Sequence, residues 1–232
     1  SLRCAPAVHG GSRLALDYVI DVVTTEINSV TDNPLIFVEE DGNGRALSGC
    51  NFHGQPIAVA MDVLGIAMSE LADICERRTE RMLNPALNNG LPAFLTEDSG
   101  LNSGLMQVQF PSASTVSENK VLAHPASVDS IPTSGNQEDH VSMGTIAARK
   151  AYQITQHTLE LLGLELMCGA QAADFRGIDR LAPATRAVYD LIRKDVPFIV
   201  EDVYLYPLMM RCIDLVKNET VLRTVKSMVE LH

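Results

Sequence analysis

The sequence has no tryptophan, and aromatic residues make up only 5% of its 232 positions. A core must therefore be filled by Leu, Ile, Val, Ala and Met, and an apolar share of 46% is enough for a sizeable one. Basic residues are scarce: 18 Lys and Arg stand against 29 Asp and Glu, a formal net charge of −11. No basic stripe is present, which argues against a nucleic-acid partner. The acidity bears on solubility rather than on fold. Cysteine is sparse as well. Cys4, Cys50, Cys75, Cys168 and Cys212 are odd in number, widely spaced and form no C-x-x-C. They read as reduced thiols of a cytoplasmic protein, not as a disulfide frame or a zinc site. No apolar run approaches a membrane span, and no signal-peptide pattern opens the chain, so no membrane partner is expected. H-E-x-x-H, Walker, G-x-G-x-x-G and G-x-S-x-G motifs are all missing. The histidines at 9, 53, 124, 140, 157 and 232 lack helical ligand spacing, so no metal is expected.

What is present is helical periodicity. Leu16, Val19, Ile20, Val23 and Ile27 recur at spacings of three and four, which predicts an amphipathic helix over 12–28. Asn33-Pro34 should stop any continuation. Short apolar runs then flank Asp41-Gly42-Asn43-Gly44, the one convincing hairpin signal. Residues 54–83 read as one long helix, apolar around most of its circumference and therefore expected to be buried. Further helices are expected over 102–122, with a kink near Pro111, over 137–173, and, shorter, at about 183–194, 201–214 and 218–230 (together 183–230). The fold class is thus mainly α, a bundle of long helices with one small β-hairpin. A 30-residue helix is about 45 Å long at 1.5 Å per residue, more than a monomer of this size covers on all sides. Other chains should complete the bundle.

Polar clusters mark the ends of these elements: SLRC at 1–4, NSVTDNP at 28–34, GCNFHGQP at 49–56 and SIPTSGNQEDHVSM at 130–143. Loops that carry Asn, Gln, Glu, His and Arg between long helices suit an active site assembled at helix ends. Residues 1–143 hold all of them.

In this order, SLRCAPAVHG, EINSVTDNPLIF, GCNFHGQP, ERRTERMLNPALNNGLPAFL and HPASVDSIPTSGNQEDHVSM resemble the aromatic amino-acid ammonia-lyase family, and within it the branch acting on histidine. The motifs run from Arg3 to at least Arg149. The resemblance implies a homotetramer around a central core of long helices, a small amino-acid substrate, and a methylidene-imidazolone prosthetic group formed from an internal Ala-Ser-Gly. This sequence contains no Ala-Ser-Gly; Leu47-Ser48-Gly49 and Thr133-Ser134-Gly135 lack the alanine. Since the chain also begins at Ser1 without methionine, it reads as the carboxy-terminal part, 1–232, of a single lyase chain. Its amino-terminal half is then the expected partner, and the chain alone is expected to be inactive.

The resemblance also implies roles. Arg3 would grip the substrate carboxylate with its planar fork, as a lysine would not; without the SLRC match it is a surface arginine. Phe52 would pack beside the prosthetic group and substrate, although most phenylalanines are simply core. Glu138 would meet an imidazole; the plainer reading is a carboxylate stabilised at a helix start. Gln137 and Asn136 are further substrate-binding candidates. Asp32, Asn33, Asn51 and His53 are expected to shape the site, Asp32 and Asn33 by bonding backbone amides. His53 and His140 read as structural histidines, and Arg77, Arg78 and Arg81 as a solvated or interface charge cluster. The expected reaction is loss of ammonia from L-histidine to give trans-urocanate. Tyrosine or phenylalanine ammonia-lyase, or an aminomutase, is the alternative within the family; a non-catalytic helical assembly subunit is the alternative outside it.

Overall fold

The computed structural model describes residues 2–231; Ser1, the first residue of the SLRC match, and His232 lie outside the described residues. The chain divides into two compact units, one of Ser1–Val8, Ser69–Lys120 and Thr155–His232, the other of His9–Met68 and Val121–Ile154.

In the second of these units, α1 (Ala5–Ile27) supplies most of its length. It starts seven residues before the predicted boundary, since Ala5-Pro6-Ala7 is a good opening turn with proline where no N–H is needed. Of the predicted stripe, Val19 is buried, whereas Ile20 and Ile27 are exposed. The helix ends where side chains capture its last carbonyls: Asn28 Nδ2 donates to Thr24 O at 2.7 Å and Ser29 Oγ to Thr25 O at 2.6 Å. After a cis Asn33–Pro34 peptide come β1 (Leu35–Val38) and β2 (Gly44–Leu47). They pair antiparallel with Leu35 opposite Leu47 and Val38 opposite Gly44. The turn is set by Asp41, whose carboxylate accepts the Asn43 N–H at 2.9 Å and its amide at 2.7 Å, and by Gly42 at φ +82°. The same two bonds hold the Asp41 carboxyl below its ordinary range.

The long helix α2 runs Gln55–Leu83, one residue from its predicted start. Its first half belongs to this unit and packs through Ala58, Ala60 and Ala67, with the buried Ser12 hydroxyl donating to Ala67 O. It is not covered all round: Val59 and Ile66 remain exposed. The apolar circumference outruns what this chain supplies to cover it.

In the other unit, α3 (Met106–Leu122) begins four residues later than predicted. Residues 102–105 cannot be helical, because Gly104 sits at φ +55° and a Cβ there would lie 2.7 Å from Phe94 O. The preceding amides are instead taken by Asp202, whose carboxylate accepts the N–H of Ser103 and of Gly104 at 2.9 Å each. These backbone bonds hold the Asp202 carboxyl below its ordinary range. Residues 201–205, predicted helical, lie outside any helix, and α6 begins only at Tyr206.

The second long helix, α4, spans Gly144–Arg176, not 137–173; residues 137–143 stay in a loop described below. It is followed by α5 (Pro183–Arg193), α6 (Tyr206–Lys217) and α7 (Thr220–Lys226). The core of this unit joins Leu83, Leu105, Met167, Ile192, Val196 and Ile213 among others. The buried Gln171 satisfies a chain bend rather than a helix: its amide donates to Leu95 O at 3.2 Å and Ile199 O at 2.8 Å, and its Oε1 accepts the Ile199 N–H at 3.2 Å.

Two arginines of the charge cluster on α2 are paired with carboxylates. Arg78 makes a two-pronged pair with Glu165, which also accepts the Cys75 thiol at 2.9 Å, and Arg77 pairs with Glu76, itself only 2% exposed. Arg78 is thus a half-buried partner of Glu165, while Arg77, with 55% of its side chain open, and Arg81 remain on the surface as expected. The five cysteines are free thiols, and burial pushes the three interior ones up, Cys212 to about 12.

Where α4 crosses α6, a Cβ on Gly163 would lie 2.6 Å from Ile213 Cα. Gly163→Ala is therefore expected to push the helices apart and cost about 1–3 kcal/mol. A thermal melt identical to the wild type would contradict this crossing.

Candidate functional site

Three of the four polar clusters that the sequence marks, those at 28–34, 49–56 and 130–143, fall in the unit of His9–Met68 and Val121–Ile154. Asn33 works across the hairpin. Its Oδ1 accepts the Gly49 N–H at 2.9 Å and the Ser48 hydroxyl at 3.2 Å, while Asp32 Oδ1 accepts the Asn33 N–H at 2.8 Å. The NSVTDNP stretch thus holds the start of the 49–54 segment in place. That segment makes one turn, His53 N–H donating to Cys50 O at 3.0 Å, and runs into α2. Asn51 and Phe52 are displayed on it, Phe52 with 54% of its surface open.

The loop of residues 123–143 is tied down from both long helices. Asp62 on α2 accepts the Ser127 N–H at 2.7 Å and lies 3.8 Å from the Lys150 ammonium on α4, which also donates to the His124 carbonyl. Gln55 donates to Ser127 O at 3.0 Å, and its Oε1 is buried with no hydrogen-bond partner. Ser130 Oγ accepts the Val141 N–H at 2.8 Å. Between these anchors the chain turns sharply. Ser134, Gly135 and Asn136 all take left-handed conformations, at φ +50°, +64° and +74°. Consecutive left-handed residues are costly where two of them carry side chains, and such strain collects at functional loops.

The turn presents Glu138. Its carbonyl accepts the Thr133 N–H at 2.9 Å, and its Oε2 accepts the Thr133 hydroxyl at 3.1 Å. Hydrogen bonds from the Ser134 and Thr133 side chains hold its carboxyl below the ordinary range, so it is charged at neutral pH. Glu138 is not at a helix start: α4 begins at Gly144, and hydroxyls rather than a macrodipole stabilise the charge. Gln137 and Asn136 stand beside it, both exposed.

His53 joins the two segments. The Gln55 N–H donates to His53 Nδ1 at 3.3 Å, which assigns the ring proton to Nε2, and Nε2 meets the His140 carbonyl at 3.0 Å. His140 Nδ1 lies 3.3 Å from the same nitrogen, and the two rings are 5.3 Å apart.

Phe52, His53, Asn51, Asp32, Asn33, Asn136, Gln137 and Glu138 thus belong to one unit. Arg3 belongs to the other, exposed in the turn that leads into α1. Sequence reasoning passed over Thr133, Ser134, Gln55, Asp62 and Lys150. A hydroxyl pair four and five residues before a glutamate was the available signal for the first two. A mostly apolar cavity of about 640 Å³ lies elsewhere, against Leu166, Ala173, Val188, Ile192, Val221 and Val225; none of the candidate residues lines it.

Comparison with known proteins adds the following. The Aromatic amino acid lyase family matches residues 1–194. Histidine ammonia-lyase 2 of Fusobacterium nucleatum subsp. nucleatum is 58% identical over 231 residues, covering 100% of this chain and 45% of that protein. Histidine ammonia-lyase of Geobacillus thermodenitrificans is 58% identical over 202 residues, 87% of this chain and 39% of that one. Among solved structures, histidine ammonia-lyase from Trypanosoma cruzi superposes with a TM-score of 0.92 at 43% identity, over 98% of this chain and 44% of that chain. Tyrosine aminomutase from Streptomyces globisporus superposes with 0.94 at 38%, over 100% and 43%. The chain spans about half the length of the curated relatives it matches or somewhat less. By both sequence and fold, the chain belongs to the aromatic amino acid lyase family.

Proposed function

We propose that this chain is the carboxy-terminal part of a histidine ammonia-lyase, which eliminates ammonia from L-histidine to give trans-urocanate. The observation that carries the reading is Glu138. It is a carboxylate kept charged by two hydroxyls at the tip of a strained loop, in a chain 53–58% identical to proteins named histidine ammonia-lyase. An imidazole is the amino-acid ring that offers such a carboxylate both an N–H and, near neutral pH, a positive charge.

The prosthetic group the family implies is a methylidene-imidazolone, a planar heterocycle derived from a tripeptide absent from this sequence. The residues present fit it. Phe52 offers an uncovered aromatic face, and three residues on, the buried Gln55 Oε1 lacks a donor. When bound, the group supplies an electrophile for the substrate amine. Around it, Phe52 would pack on its plane, with Asn51 alongside and Gln55 offering an acceptor. Arg3 would hold the substrate carboxylate through two parallel N–H donors. Glu138, supported by Gln137 and Asn136, would fix the imidazole and so aim the β-carbon. Overall the C–N bond breaks, the β-proton leaves, and a Cα–Cβ double bond forms.

The same reading supplies the partners. Exposed Leu14, Ile20, Val59, Ile66, Ile146 and Tyr152 on α1, α2 and α4 need cover. We assign it to the amino-terminal half and to further copies in a homotetramer of the cytoplasm. The similarity to tyrosine aminomutase keeps that activity as a second reading.

The complete enzyme should release urocanate from L-histidine far faster than it deaminates L-phenylalanine or converts L-tyrosine to β-tyrosine. A preference for tyrosine with β-tyrosine as product would replace the first reading by the second.

A further inference from the structure

The loop that carries Glu138 has few ties to the segment that carries Phe52. Among the described residues, the hydrogen bonds that join residues 131–140 to residues 49–56 are those of the His53–His140 pair. His53 is one residue from Phe52, and His140 is two from Glu138. The direction of the bond is set by Gln55, whose N–H occupies Nδ1 and leaves Nε2–H to reach His140 O at 3.0 Å and His140 Nδ1 at 3.3 Å. One ring proton therefore spans the gap between the aromatic face and the carboxylate.

We propose that His53 is a positioning residue for substrate recognition: through His140 it sets the placement of Glu138 relative to Phe52, and so the seat of the substrate ring. The inference rests on the assignment of Glu138 to the imidazole. The rest of the loop supports it. Residues 133–138 are closed on themselves by Thr133; Ser130 ties the two flanks of the turn through Val141 and Asp62 holds Ser127 before it, but neither bond touches residues 133–138. A rigid turn with one forward tie is placed by that tie. Displacing a binding group by about 1 Å can cost on the order of 100-fold in rate, so a modest bond has leverage.

The test compares His53→Gln with His53→Asn in the complete enzyme. A glutamine amide N–H reaches roughly where imidazole Nε2–H sits; asparagine is one methylene shorter and does not reach His140 O. Both are polar and suit a half-buried position, so both should fold. The wild type is first shown to make urocanate from L-histidine; failure there would sink the functional reading and not this one in particular. His53→Asn should then lower kcat/KM for L-histidine about tenfold, mainly through KM, and His53→Gln should stay within about threefold of wild type. In a Glu138→Gln background, His53→Asn should cost no more than about twofold further, because the group it places is already disabled. Equal kinetics for the two variants would overturn the proposal. So would a loss confined to kcat, or one that persists in full in the Glu138→Gln background.

Discussion

The pure 232-residue chain, incubated with L-histidine, should produce no urocanate. The sequence contains no Ala-Ser-Gly, and without that tripeptide no methylidene-imidazolone can form. The expected effect is a complete loss. It is checked by following urocanate absorbance with protein whose intact mass excludes any contaminating full-length lyase. Urocanate formation by that sample would mean that the elimination does not depend on the tripeptide, and the assignment of roles would fall with it.

Arg3→Lys in the complete enzyme carries the next largest effect. Arginine offers a carboxylate two parallel donors in a fixed plane; lysine keeps the charge but offers a single point donor on a flexible stem. Arg3 is exposed on a turn, available to a ligand rather than spent in the core. One charge-assisted hydrogen bond lost in a desolvated site is worth roughly 1.5–3 kcal/mol, or about 10- to 150-fold in kcat/KM. Steady-state kinetics on L-histidine decide it, and an unchanged kcat/KM would remove Arg3 from the carboxylate.

The parts of the structure legible in the sequence are those governed by local chemistry. α2 was legible because its apolar periodicity runs to Cys75, the charged turns after it contain no helix breaker, and Asn84-Pro85 stops it. The hairpin was legible because Asp41 and Gly42 have one obvious use. Asn33 was legible as a backbone-binding side chain, although not its target, Gly49, sixteen residues on. The misread stretches are those where distant groups outcompete the local pattern. Residues 137–143 look like a helix start, yet Ser130 and Thr133 take the amides and carbonyls that a helix would use. Residues 102–105 and 201–205 look helical, yet Asp202 draws the two segments together, and Gly104 has room for no side chain. The same limit governed the site. Phe52, Glu138 and Arg3 were nominated through motif likeness. The support around Glu138 could be seen only once the strained turn brought Thr133 and Ser134 onto it.

That likeness also sets what the exposed surface means. A helix such as α1, with Leu14, Ile20 and Ile27 open, is unsuited to standing alone in water. The apolar faces that periodicity could not assign to this chain's own core are the faces that the proposed assembly covers.

The central claim, that Glu138 recognises an imidazole, is tested most directly by Glu138→Gln in the complete enzyme, with kcat/KM measured for L-histidine and L-phenylalanine across pH. Hydrogen bonds from Ser134 and Thr133 depress the Glu138 carboxyl, so its charge is fully present above the ordinary carboxylate range and is lost only as pH falls through the depressed value. Around neutrality the carboxylate is constant, and the pH dependence belongs to the substrate ring that it meets. Glutamine keeps the shape and removes the charge. The account predicts a large loss for histidine together with a flatter pH profile, and little change in any weak activity on phenylalanine. Equal losses for both amino acids, or none for either, would contradict it.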